Sequence, residues 1–162
     1  TYNFVVQYIH RPLNPEIYYE DMVKICTYFG CSILIESQKA GIMTYFKMRG
    51  YENFIMYRPK DTFTTEGTTQ DTLGVPASRP MIGQYTEKLQ TFYSHHGHRL
   101  FFTELLTDSL KFDPSNTKVH DATVAAGYTL LAAENKVEEP KITHVGNIFT
   151  MYDNTGSESK AI

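Results

Sequence analysis

Tryptophan is absent from this 162-residue chain, and cysteine nearly so, with only Cys26 and Cys31. Their spacing matches neither a zinc knuckle nor a CxxC redox pair, and both fall in apolar contexts, so reduced core thiols in a reducing compartment are expected. Charge of one sign is also missing: 15 Lys and Arg against 18 Asp and Glu leave a formal net charge of -3. No global basic field announces nucleic acid, and any DNA contact has to come from a local patch. No apolar run approaches the length of a bilayer span and no signal peptide is visible, so a soluble protein without a membrane partner is expected. There is no Gly-x-x-x-x-Gly-Lys loop to cradle nucleotide phosphates, and no internal repeat.

What is present is an ordinary globular composition, 41% hydrophobic and 20% charged, with a heavy aromatic load of 12 Tyr and 10 Phe. One domain with a real core follows from the length. Residues 2–9 read as a strand rich in Val, Ile and aromatics, stopped by His10-Arg11-Pro12. Because the first residue is not Met and the chain opens inside a strand-like segment, a piece of a longer polypeptide is expected. Asn14 as N-cap, Pro15 at the first helical position, the stripe Tyr18, Met22, Ile25, Phe29 and a closing Gly30 predict a helix. A strand over 32–36, a helix over about 38–49, and a strand over 54–57 follow, an order that argues for parallel strands joined by right-handed crossovers. Residues 60–79 read as a long loop or a weak hairpin, 80–96 as a helix with Ile82, Tyr85, Leu89, Phe92 and Tyr93 on one face, 103–111 and 121–134 as two more helices. A C-terminal extension, 135–162, ends in a polar tail expected to be disordered.

Two acids stand out on this frame. Glu36 ends the run Ser32-Ile33-Leu34-Ile35, and open α/β sheets gather ligands at the carboxyl ends of their strands. Asp121 opens a helix whose Val124, Ala125, Tyr128, Leu131 and Ala132 form one face, placing Asp121 on the packing side. Two inward carboxylates without obvious partners point to a divalent cation, because a buried unpaired charge is costly. Taken singly, each also fits a solvent-facing loop residue or a helix-dipole partner, and only the pair argues for a site. His95, His96 and His98 form a cluster at a helix end, where they complement the dipole; no nearby Cys or acid completes a zinc set. Lys39, Arg49, Arg58, Lys60 and Arg79 fall on loops and helix ends near the expected strand termini, where they could meet phosphates or remain solvated surface charges.

Four segments then resemble one family: Leu34-Ile35-Glu36 through Gly41, Gly74-Val75-Pro76-Ala77-Ser78 before a long helix, Glu104-Leu105 on a short one, and His120-Asp121-Ala122 on the last. In this order, over about residues 3–134, they are similar to the C-terminal nuclease domain of tailed-phage terminase large subunits. The resemblance implies an α/β, RNase H-like mixed sheet flanked by helices, lacking its first strand here, with residues 1–134 as the nuclease domain. It implies a metal-dependent endonuclease cutting concatemeric viral DNA with two Mg²⁺ or Mn²⁺ ions, Glu36 and Asp121 being the second and third acids. The first, on an upstream strand, falls before this chain begins, which puts the activity of the chain itself in question. His120 matches the family pattern, while Ala122 replaces its second acid. His120, Glu104 and Asp108 are accessory candidates.

The implied partners are double-stranded DNA and, in the full-length protein, the portal and the small terminase subunit, in the cytoplasm of the bacterial host. Two alternatives stay open: a non-catalytic RNase H-like module docking on portal or DNA, and an unrelated α/β domain with a deep apolar small-molecule pocket.

Overall fold

The computed structural model describes residues 3–60 and 72–134. Of the segment expected as a loop over 60–79, residues 61–71 lie outside the described residues, as does the extension 135–162 with its expected disorder. Helix α1 runs Pro15–Phe29. Its N-cap Asn14 accepts a hydrogen bond from the Glu16 amide at 2.9 Å, and Gly30 ends it in the left-handed region at φ 59°, where only glycine is at ease. Helix α2, Ala40–Met48, lays Ile42 and Phe46 against Val23 and Cys26 of α1, and a 3-10 turn at Glu52–Phe54 adds Phe54 to the same core.

Residues 79–134 are mostly helical. In α3, Arg79–His96, the buried residues Met81, Tyr85, Leu89 and Phe92 recur at helical spacing and face α4, Thr103–Leu110, and α5, Asp121–Glu134. Tyr85 is the largest fully buried side chain, and such a ring contributes about 2–3 kcal/mol by leaving water. It fits because α5 carries glycine where the two helices touch. A Cβ at Gly127 would sit 2.7 Å from Tyr85 Cδ2 and 2.9 Å from its Cγ. Gly127→Ala is therefore expected to lower the unfolding free energy by about 1–2 kcal/mol, and the urea midpoint with it, overpacking exceeding the helix-propensity gain. An unchanged or raised midpoint would show that the two helices can separate freely.

The expected α/β mixed sheet is absent, and with it the RNase H-like architecture. Among the described residues there is no strand, only three isolated bridges: Ile33 with Ile55 and Glu36 with Val75, both parallel, and Tyr57 with Leu73, antiparallel. The reason is visible in the hydrogen bonds. Ile33 exchanges bonds with Phe54 and Met56, then the partner changes and Val75 bonds Ile35 and Ser37. No neighbour stays beside the 32–37 segment long enough to make a ladder, because a 3-10 turn precedes residue 55 and Gly74, at φ 74°, precedes Val75. Residues 3–10 form neither helix nor strand and make no backbone–backbone hydrogen bonds among the described residues, and Val5, Val6 and Ile9 are exposed. Short apolar runs satisfied by helix packing read in sequence like buried strands.

Candidate functional site

Glu36 is held by three different parts of the chain. Val75 bridges its backbone; its carboxylate lies 4.0 Å from Lys39 Nζ and accepts a long hydrogen bond, 3.4 Å, from the Tyr128 hydroxyl on α5. Tyr128 packs edge-on against Tyr85, ring centroids 5.4 Å apart. Burial, then the Glu36 charge, push the hydroxyls of both tyrosines above their ordinary range. Neither tyrosine ionises at neutral pH, so Tyr128 acts on Glu36 as a hydrogen-bond donor. The Glu36 side chain is about a quarter exposed, which keeps it open to a ligand on one side.

Asp121 does not lie on the packing side of α5. That side is built by Thr123, Ala126, Gly127, Tyr128, Leu130 and Leu131, while Asp121 itself is exposed. The Asp121 side chain is 77% exposed and pairs with Arg11 at 3.1 Å, an exposed contact of small energetic value. It stands at the rim of an apolar cavity of about 740 Å³ lined by Phe4, Tyr8, Tyr18, Met22, Leu105 and Ala126, among others. Glu36 is not part of that lining. Asp121 and Tyr128 are two helical turns apart, about 10 Å along the axis, so the structure brings Glu36 to the helix of Asp121 without giving the two carboxylates a common partner. The cavity has the apolar character expected of a small-molecule domain, although the sheet of that alternative is missing too.

The best-built polar cluster is one that sequence reasoning ranked low. Asp108 of α4 accepts from the His120 ring Nδ1 at 2.7 Å through one oxygen. Through the other it accepts from the Thr123 amide at 2.8 Å and the Thr123 hydroxyl at 2.9 Å. Ser109 extends the network to Tyr93 at 2.6 Å. His120 occupies the N-cap position of α5, its carbonyl taking the first helical bond from Val124, yet imidazole is a poor cap and Asp108 supplies the acceptor from the neighbouring helix. Burial raises the Asp108 carboxyl, but the hydrogen bonds from His120 and Thr123 and the His120 charge outweigh it, leaving it below its ordinary value. A helix opening on His-Asp-Ala without Ser, Thr or Asn before it was the available signal that an acceptor must come from elsewhere. Glu104, the companion candidate, is exposed in the first turn of α4.

The cations separate. Lys39, Arg49, Lys60 and Arg79 are exposed, with Arg49 already engaged by Glu20 at 3.4 Å and stacked over Tyr45. Arg58 is buried, 5% exposed, and its Nε has no hydrogen-bond partner among the described residues, which sets it apart from the exposed cations that could meet phosphates. His95 bonds the Thr91 carbonyl at 2.9 Å and His96 packs on Phe92. Desolvation, then the charges of Arg99 and the neighbouring histidines, lower the pKa of His96. Among the described residues no group of three or more His, Cys, Asp or Glu side chains could hold a metal ion, and no helix is long and apolar enough to cross a membrane.

That donor set decides how the implied ions fit. Mg²⁺ keeps near-octahedral oxygen coordination, and a two-ion centre, with its ions about 3.5–4 Å apart, would need carboxylates that converge on one spot. Glu36 and Asp121, with separate partners and no third acid beside them, do not form such a centre from the described residues alone. No family model, curated protein or solved structure matches this chain.

Proposed function

We propose that this chain carries part of the nuclease of a tailed-phage DNA-packaging terminase, a metal-dependent endodeoxyribonuclease in which Glu36 and Asp121 are the acids. The observation that supports the reading most is the hydrogen bond from Tyr128 to Glu36 across 92 positions of sequence. It ties Glu36 to the helix that Asp121 opens. Tyr128 fixes the direction of the Glu36 carboxylate, Lys39 balances its charge, and Asp108 with His120 fixes the turn that bears Asp121. Divalent ions enter this reading only with a further acid from outside the described residues. Lys39, Lys60 and Arg79 are the exposed cations for the DNA backbone. Portal and small terminase subunit are the protein partners the reading carries, in the cytoplasm of the bacterial host.

Cleavage of supercoiled plasmid by the full-length protein with Mn²⁺ tests the assignment. Glu36→Ala and Asp121→Ala are each expected to cut at least ~100-fold more slowly, the scale of losing one preorganised electrostatic group. Arg11→Ala, which frees Asp121 from its ion pair, is expected to cut as well as the parent. Retained cutting by both acid variants would overturn the reading. A second reading, a non-catalytic docking module, is favoured by the Arg11 partner of Asp121 and the missing third acid among the described residues. It predicts plasmid retardation without cleavage at any Mn²⁺ concentration.

A further inference from the structure

The end of α1 is closed by two backbone bonds onto one carbonyl. The Gly30 and Cys31 amides both donate to the Cys26 oxygen, the latter at 3.0 Å, with Gly30 at φ 59°. This six-to-one closure puts the side chain three positions inside the helix end against the one just past it, a contact usually made by two apolar residues. Here both are cysteines, and both are free thiols. Cys26 is 3% exposed within the core shared by α1 and α2, whereas Cys31 is exposed, so the expectation of two core thiols holds for one of them only. The backbone bond holds the two α-carbons near each other, and a disulfide needs them about 4.4–6.8 Å apart. A hydrogen bond from the Cys26 thiol lowers the Cys31 pKa to about 7, while the same bond and burial push the Cys26 thiol up. The reactive sulfur is thus the accessible one, with its resolving partner directly behind it.

We propose that Cys26 and Cys31 form an oxidisable dithiol, a disulfide site closing across the C-terminal cap of α1 by exchange with a low-molecular-weight disulfide. The Cys31 thiolate attacks one sulfur of the small disulfide RSSR, forming Cys31–S–S–R and releasing RS⁻. Cys26 then loses its proton to solvent and attacks the Cys31 sulfur, expelling the second RS⁻. Both thiolates take up the protons lost by the cysteines, so two protein thiols and RSSR give one protein disulfide and two RSH, two electrons passing to the small molecule. The bond would lock the junction that leads directly into Ser32–Glu36. It depends on the helix cap and not on any activity of the protein.

The test uses the reduced full chain, incubated with excess glutathione disulfide at mildly alkaline pH, then unfolded, alkylated with iodoacetamide and weighed intact without reductant. The parent is expected to lose both thiol hydrogens, carry no glutathione and take no alkyl group. Cys26→Ser is expected to stop at a persistent glutathione adduct on Cys31, and Cys31→Ser to react far more slowly. A parent chain that keeps a stable adduct, forms disulfide-linked dimers, or remains alkylated at both cysteines would overturn the proposal. The parent measurement decides the matter even if a serine variant folds poorly.

Discussion

Gly74→Ala should be the most damaging small substitution in the described part of the chain, with a loss of about 4 kcal/mol in unfolding free energy. Gly74 holds φ 74°, where an added side chain costs about 1–2 kcal/mol. Its Cβ would also run into the carbonyl oxygen of Ile35 and lie 2.8 Å from Met43 Cε. Met43 can swing away, but the Ile35 carbonyl cannot, because it accepts the Val75 amide at 2.9 Å. Moving it breaks the Glu36–Val75 bridge and its second bond, from Ser37 to the Val75 carbonyl at 2.8 Å. Each lost bond is worth about 1 kcal/mol. The internal comparison is Gly83→Ala in α3, where a Cβ meets nothing within 4 Å; that change is expected to stabilise by roughly 0.5–1 kcal/mol. Urea denaturation of both variants measures the contrast. Equal midpoints would mean that the 35–75 contact does not exist in solution. Because Glu36 follows Ile35, the proposed nuclease reading adds the expectation that plasmid cutting falls with Gly74→Ala even below its unfolding midpoint.

The second large effect belongs to Asp108. Asp108→Ala leaves the His120 ring, the Thr123 amide and the Thr123 hydroxyl without their acceptor at a site where His120 is buried. The expected cost is about 3 kcal/mol, the scale of orphaning a hydrogen-bonded buried pair. Asp108→Asn keeps an acceptor for Thr123 and is expected to lose about half as much. The acid limb of stability carries the same signature. The folded-state pKa of Asp108 lies below its ordinary value, so the unfolded chain binds the proton more readily. The carboxylate therefore contributes its full stability above the unfolded value near ~3.9. That contribution is lost as pH falls through the folded pKa. The parent should lose its advantage over Asp108→Asn between pH ~4 and the folded value, and a gap independent of pH in that range would sink the assignment. Hydrogen exchange at the Thr123 amide should accelerate in Asp108→Ala before any change in α1.

These effects sort what could be read from residues alone. The helices were legible, because each carries local marks: Asn14-Pro15 and Gly30 around α1, the Tyr85, Leu89, Phe92 stripe in α3 (whose first buried residue is Met81 and not the expected Ile82), Thr103 and Asp121 opening α4 and α5. The sheet was misread from the same kind of mark. Apolar runs at 32–36 and 54–57 have strand-like composition, but whether a run joins a ladder depends on a neighbour staying in register, and that is a long-range property. The site divides likewise. Glu36 and Asp121 could be singled out by their places at the end of an apolar run and the start of a helix. The Arg11 partner of Asp121, the Tyr128 donor to Glu36 and the buried state of Arg58 could not, since each joins or buries positions far apart in the chain.

By itself the sequence determined helices α1 to α5 among the described residues, the glycine at the end of α1 and the aromatic faces that make the core, all set by short-range sterics, capping and periodic apolar contact. Only the tertiary structure decided that the 32–37 segment is bridged one residue at a time, that Asp108 caps α5 across the gap between helices, and that Cys26 and Cys31 share one cap with opposite exposure. The physical reason is that unpaired backbone groups and buried charges are satisfied by whichever partner packing brings near, and that partner's identity is not written beside them in the chain.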